Sequence, residues 1–166
     1  MKHTLAVLVL NKPGVLARIS GLLSRRVFNI ESIAASHTEK PDITRITIVV
    51  QGDDRILDQV VKQLSKLIDV ITIQELVSKD SIERELALIK VRVNSNRRSD
   101  IVDIVDIFRA NIVDINRETM VIELTGDEQK INALCAVLEE HVIVEMVRTG
   151  NIALCRKPGA AKHDNE

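Results

Sequence analysis

The sequence has almost no aromatic residues: two Phe, no Tyr and no Trp among 166 residues. Proteins that bind single-stranded nucleic acid without sequence preference stack the bases on aromatic side chains, and this chain has too few to build such a platform. Its formal net charge is −1, so it also lacks the basic field that attracts a phosphate backbone. We therefore expect no nucleic-acid partner.

Cysteines and long hydrophobic runs are also scarce. Cys135 and Cys155 form no CxxC pair, which favours reduced thiols over a disulfide scaffold. Cys135 falls on the apolar stripe of a predicted helix and is interpreted as a small core residue. The longest apolar run, residues 5–10, is far shorter than the ~20 residues of a membrane-spanning helix. We expect a cytoplasmic protein that has no membrane partner.

Motifs that carry catalysis are missing too. The sequence contains no G-x-S-x-G, no P-loop, no G-x-G-x-x-G and no H-E-x-x-H. The four histidines are scattered: His3, His37, His141 and His163. Asp100, Asp103 and Asp106 share one side of a predicted helix, which favours a solvated face over a metal site, and Arg97 with Arg98 favours a solvated loop over an anion site. We predict a chain without catalytic residues, metal or cofactor of its own.

Aliphatic periodicity predicts the fold instead, with 45% hydrophobic residues available for a core. Strands, amphipathic helices and turns follow the order βαββαβ up to about residue 77, a polar linker follows, and the same order recurs. The fold class is α+β, two ferredoxin-like βαββαβ domains in tandem. The predicted divisions are residues 1–77, residues 84–156 and a flexible tail, residues 157–166.

Each predicted domain has one face that its own helices do not cover. In a βαββαβ unit both helices pack on the same side of the four-stranded sheet. The strands are too apolar for the other side to face water, so we expect a second sheet or a second subunit to cover it. This pattern predicts an oligomer.

One turn has the composition of a ligand site. It runs N-K-P-G-V-L from Asn11, with Pro13 pre-setting the first helical turn. The amides of Gly14, Val15 and Leu16 then lie at a helix N-terminus, which favours an anion such as a carboxylate. Asn11 can also accept from an ammonium group and donate to a carboxylate, so an α-amino acid suits the turn. On spacing alone, an ordinary strand-to-helix turn is the stronger interpretation.

This turn at the start of a βαββαβ unit resembles an ACT domain, the regulatory module that binds amino acids between paired subunits. Further strings narrow the resemblance: G-V-L-A-R-I from Gly14, F-N-I-E-S-I from Phe28, T-R-I-T-I from Thr44 and E-R-E-L from Glu83. They resemble the regulatory small subunit of acetolactate synthase, also called acetohydroxyacid synthase (AHAS). The resemblance covers nearly the whole chain, and N-I-E-S-I is its most specific part.

The resemblance implies a regulator rather than a catalyst. In that family the partner large subunit binds thiamine diphosphate, Mg²⁺ and FAD. It condenses two pyruvates, or pyruvate with 2-oxobutyrate, in the first common step of branched-chain amino-acid synthesis. The small subunit raises this activity and confers feedback inhibition, typically by valine.

The resemblance also implies a homodimer with an effector site shared between its protomers. The implied contacts are Asn11, Gly14, Val15 and Leu16 of one protomer, with Asn29 and Ile30 of the facing protomer. Lys12 adds a charge beside this site, and Ala17 stands where relatives can carry Ser. No site is implied in the C-terminal half.

A free-standing amino-acid sensor that acts on another target is the alternative function. A transcription factor is disfavoured because both halves are occupied by βαββαβ units, which leaves no helix-turn-helix. An acylphosphatase-like enzyme is disfavoured because Arg18 does not lie in the anion-binding loop that such an enzyme needs. Valine, leucine and isoleucine all stay open as effectors, since they differ by a methylene or a branch.

Overall fold

The computed structural model describes residues 1–26, 28–94 and 97–156, and the backbone of residues 163–164. The strands are β1 (Lys2–Leu10), β2 (Asn29–His37), β3 (Ile43–Gln51), β4 (Val70–Leu76), β5 (Ser81–Arg92), β6 (Asn111–Ile115), β7 (Thr119–Gly126), β8 (Ile143–Arg148), β9 (Ile152–Cys155) and β10 (His163–Asp164). The α-helices are α1 (Val15–Arg25), α2 (Asp54–Leu64), α3 (Arg98–Phe108) and α4 (Glu128–Leu138). A 3₁₀ turn, Ser78–Asp80, precedes β5. None of the described helices is long and apolar enough to cross a membrane.

The first compact unit comprises Met1–Ile82 together with the described residues from Asn151 onward. Its sheet has the order β10-β4-β1-β3-β2, and each neighbouring pair of strands is antiparallel. Alternate residues of β1 pack with both helices in one core, as their period of two requires. That core includes Leu5, Val7 and Val9 of β1, Val15, Ile19 and Leu23 of α1, and Leu57, Val60 and Leu64 of α2.

The second unit, Glu83–Gly150, repeats this arrangement. Its sheet has the order β6-β7-β5-β8 and is again antiparallel, and α3 and α4 pack on it. Residues from β5, β7 and both helices form its core: Ala87, Ile89, Val91, Ile101, Val105, Met120, Ile122, Leu124, Ile131, Leu134 and Leu138. The predicted fold class, two βαββαβ domains in tandem, is confirmed.

The second helix of each unit begins in the same way. Asp53 is the N-cap of α2 and accepts from the Ile56 amide at 2.9 Å. Asp127 is the N-cap of α4 and accepts from the Lys130 amide at 2.8 Å. A glycine precedes each cap, Gly52 in the first unit and Gly126 in the second. A Cβ on Gly52 would come within 3 Å of the Ile56 side chain, and a Cβ on Gly126 within 3 Å of the Lys130 side chain. The same Gly-Asp pair therefore begins the second helix of both units, in agreement with the internal repeat.

The outer face of the first sheet is covered by residues that sequence analysis assigned to the second domain. Ala153 of β9 packs against Ala6 and Leu76. Its carbonyl accepts from Arg45 Nη2 at 2.6 Å, and the Asn151 amide donates to Ser32 Oγ at 3.0 Å. Burial lowers the pKa of Arg45, and the charge of Glu39 partly opposes this.

This segment bears on the predicted division of the chain and on the cover expected for the outer face. Residues 151–156 lie in the first unit and not with residues 84–150, because β9 finds its apolar partners on β1 and β4. Asn151 and Ala153 of the chain itself cover this part of the outer face. Of the predicted flexible tail, residues 157–162 and 165–166 lie outside the described residues, while the backbone of His163–Asp164 pairs with β4.

Candidate functional site

The turn between β1 and α1 is held in place from both sides. The Leu10 amide donates to the Asp69 carbonyl at 2.9 Å, and the Asn11 amide donates to the Asp42 carbonyl at 2.8 Å. Asn11 Nδ2 donates to the Pro41 carbonyl at 3.1 Å. These bonds tie the end of β1 to the loops before β3 and β4, so the start of α1 has a fixed position on the sheet.

Gly14 is the N-cap of α1 and occupies the left-handed region, with φ 83° and ψ −6°. Glycine adopts this conformation at no steric cost, whereas an L-residue is strained there. A Cβ built on Gly14 would meet nothing within 4 Å, so the space beside it is open. The glycine is therefore required by the backbone conformation and not by crowding.

The N-terminus of α1 has unused donors. No side chain caps it, and its first turn carries no acidic residue, unlike α2 and α4. The Val15 amide makes only a long bond, 3.4 Å, to the Lys12 carbonyl. Within the described residues, no acceptor is bonded to the amides of Gly14 and Leu16. Free amides at the positive end of a helix dipole favour an anion.

A cavity of about 130 Å³ lies beside this helix start. Its aliphatic walls are Val9, Leu10, Val15, Leu16, Ala35 and Ile46. Asn11, Lys12 and Thr44 supply its polar groups. The structure thus brings Asn11, Val15 and Leu16 together around one apolar space, with Gly14 in the same turn.

The cavity walls that come from the neighbouring strands are not among the residues predicted from the sequence. Ala35 on β2 pairs directly with Ile46 on β3, and Thr44 lies two residues before Ile46. A signal for these residues existed, because the turn around Pro41 joins β2 and β3 as a hairpin. The register that puts Ala35 beside Ile46 could not be read from the sequence, since β2 and β3 contain a bulge after Ile30.

Comparison with known proteins supports a single family over nearly the full length of the chain. Residues 5–72 match the model of an AHAS small subunit-like ACT domain, and residues 84–157 match that of the small subunit of acetolactate synthase. A protein of Archaeoglobus fulgidus named as a probable acetolactate synthase small subunit is 51% identical over 94% of this chain and 98% of its own. This chain belongs to the acetolactate synthase small-subunit family.

Further relatives agree with that membership. The acetolactate synthase small subunit of Mycolicibacterium smegmatis is 50% identical over 96% of each chain. A crystal structure of the acetolactate synthase small subunit from Thermotoga maritima superposes with a TM-score of 0.88 at 38% identity, covering 96% of this chain and 99% of that one. The two-domain fold is therefore shared with this small-subunit relative.

Two of the six residues implied by the family resemblance do not lie at the cavity of the same chain. Asn29 is at the start of β2, where it pairs with Gln51 and donates to Gln51 Oε1 at 2.8 Å. The cavity is lined by Thr44, at the other end of the same strand β3. Seven residues of strand separate the two positions, about 23 Å at the usual rise. Asn29 and Ile30 can contribute to this cavity only from another copy of the chain.

An ion pair supports the turn from behind. Arg18 Nη2 on α1 lies 2.5 Å from Asp69 Oδ2, and Asp69 is only 6% exposed. The same Asp69 accepts the Leu10 amide through its carbonyl. One residue thereby holds both α1 and the end of β1, which fixes the N-terminal amides of α1 relative to the cavity.

The remaining candidates from the sequence do not converge on another site. Asp100, Asp103 and Asp106 are exposed on α3. Among the described residues, no group of three or more His, Cys, Asp and Glu side chains could hold a metal ion. Cys135 packs at the margin of the second core, and Cys155 is also free and partly buried.

Proposed function

We propose that this chain is the regulatory subunit of an acetolactate synthase. In this proposal it raises the activity of a separate catalytic large subunit and makes that activity sensitive to a branched-chain amino acid, with valine as the first candidate. Thiamine diphosphate, Mg²⁺ and FAD belong to the large subunit, and this chain contributes no catalytic group. Membership of the small-subunit family supports the proposal.

The observation that carries the effector site is the cavity beside the start of α1. An apolar cavity of about 150 Å³ accommodates benzene, so about 130 Å³ suits a branched aliphatic side chain. The amides of Gly14 and Leu16 suit the ligand carboxylate, and Asn11 suits its ammonium group. These three parts match the three parts of a branched-chain amino acid.

The cavity is also smaller than a complete small-molecule site, which is typically about 300 Å³ or more. A wall supplied by a second copy would complete it. Ala35 lies on β2, which pairs only with β3 among the described residues and forms an edge of the sheet. A long free edge is a ready site for pairing with another chain.

Pairing of β2 with a second β2 accounts for the two distant residues. In an antiparallel pair centred on the middle residue, Ile33, residue 29 of one copy lies opposite residue 37 of the other. Asn29 and Ile30 of the second copy then lie beside the end of β2 that holds Ala35. We propose this homodimer as the unit that binds the effector.

Co-purification and calorimetry test the proposed function. The tagged chain, expressed in its native host, is expected to retain a thiamine-diphosphate-dependent synthase of greater mass. Titration of the purified chain with valine, leucine and isoleucine is expected to give saturable binding of at least one. Amino-acid binding without a synthase partner would instead favour the free-standing sensor. A chain that retains the synthase but binds none of the three amino acids would contradict the proposed effector site.

A further inference from the structure

We propose that Ala35 determines the largest effector side chain that the site accepts. This inference rests on the proposed effector site, and it adds a specificity-determining residue to it. Ala35 has the smallest side chain among the residues that line the cavity. It also lies on the edge strand, where the wall of one copy meets the proposed partner copy.

The walls of the cavity that belong to the core cannot retreat to make room. Val9 and Ile46 are each 1% exposed and belong to the core of the first unit, and Val15 is 5% exposed. Protein cores are close-packed, so displacing these side chains would disturb the whole unit. The inner dimension of the cavity is therefore set by fixed aliphatic groups.

The mouth of the cavity, in contrast, is adjustable. Leu16 is 47% exposed, and Asn11 and Lys12 are exposed as well. Lys12 and Leu16 can move outward at little cost because they face solvent, whereas Asn11 is held by its bond to the Pro41 carbonyl. The core-side residues of the cavity are fixed and its solvent-facing residues can move. The size of the side chain at position 35 therefore limits the size of the ligand.

Position 35 can be enlarged without an obvious cost to the strand. Valine is favoured in β-strands, and Ala35 is an exposed residue of an edge strand. Its register partner is Ile46, so a branched side chain at position 35 would extend along the same face, into the cavity. Ala34 pairs with Thr47, and its side chain lies on the opposite face, which makes Ala34→Val a matched control.

The test is calorimetric titration of the full chain with four ligands of increasing size: alanine, 2-aminobutyrate, valine and isoleucine. Ala35→Val, which adds two methyl groups, is expected to weaken the two larger ligands at least about tenfold relative to the two smaller ones, since one methylene group in a hydrophobic pocket changes affinity by about 10- to 200-fold. Ala35→Gly is expected to shift the order toward larger ligands, and Ala34→Val to leave it unchanged. If Ala35→Val fails to fold, the opposite shift in Ala35→Gly carries the test.

The outcomes separate this inference from the function on which it rests. If the wild-type chain binds none of the four ligands, the proposed effector site is wrong and the inference falls with it. If the wild-type chain binds but the order of affinities is the same in both Ala35 variants, the inference alone is wrong. An equal shift in Ala34→Val would also overturn it, because that side chain does not reach the cavity.

Discussion

Replacing Gly14 by Asp is expected to abolish feedback inhibition of the reconstituted synthase while leaving its activation intact. Gly14 adopts φ 83°, so an L-residue there is strained by about 1–2 kcal/mol. A Cβ at this position meets nothing within 4 Å, so no clash adds to the strain. Because small proteins are typically stable by about 5–15 kcal/mol, the variant is expected to fold.

The strain lowers the stability of the fold, whereas the charge of the Asp acts on the affinity for the ligand. An Asp carboxylate at Gly14 would lie beside the amides that we assign to the effector carboxylate. Two like charges about 4 Å apart repel by about 1 kcal/mol in bulk water and by about 4 kcal/mol near a protein surface. This range corresponds to a loss of affinity of roughly 5-fold to 1000-fold.

Gly14→Asn is the matched control for this prediction. Asparagine has nearly the same size as Asp, tolerates the left-handed conformation and carries no charge. The assay is synthase activity of the large subunit with each variant against increasing valine concentration. We expect inhibition to persist, though weakened, in Gly14→Asn and to be lost in Gly14→Asp. An unchanged inhibition curve for Gly14→Asp in an assembled complex would mean that the effector binds elsewhere, and an equal loss in both variants would refute the electrostatic explanation.

Three further predictions address the parts around the turn. Asn29→Ala should weaken effector binding by about 1–3 kcal/mol. Mixed dimers of this variant with Gly14→Asp should regain one working site of two, and the stoichiometry of calorimetric titration measures this. Arg18→Ala should leave buried Asp69 without its cation and weaken effector binding by about 1–3 kcal/mol, with partial rescue by Arg18→Lys; unchanged affinity would show that the ion pair does not position α1. Asp53→Ala should remove the cap of α2 and reduce the free energy of unfolding by about 0.5–2 kcal/mol in urea titration, whereas Asp53→Asn, which keeps an acceptor, should cost less.

The fold could be predicted from the sequence because its local signals agree with one another. The stripe Val15, Ile19, Leu23 has the helical period and is buried in the structure. Asp53 and Asp127 each precede an apolar helical stripe, and both accept amide bonds as N-caps. Where periodicity, capping and turn residues all indicate the same element, that element can be predicted without knowledge of the tertiary packing.

The return of the chain to the first unit could not be predicted in this way. The strand β9 has only four residues, and Ile152 and Leu154 remain exposed while Ala153 is buried. So short a segment has no reliable periodicity, and its position depends on contacts with Ala6 and Leu76, far away in the sequence. For this reason the grouping of residues 151–156 with the first compact unit could not be derived from the sequence.

The candidate site was accessible from the sequence only where it is local. Asn11, Val15 and Leu16 lie at the cavity because they belong to one turn and the helix that follows. Ala35 and Ile46 reach it through strand pairing, which a motif cannot specify. The proposed contribution of Asn29 and Ile30 to the effector site depends on a second copy of the chain, and a pattern within one chain does not specify how two copies pair.

Reconstitution with the purified large subunit tests the central claim most directly. Acetolactate formation is measured for the large subunit alone, for this chain alone, for the two together, and for the two together with valine. The account predicts no activity for this chain alone, a higher rate for the complex than for the large subunit alone, and saturable inhibition of the complex by a branched-chain amino acid. A complex that assembles with the same rate as the large subunit alone, and whose rate no branched-chain amino acid lowers, would contradict it.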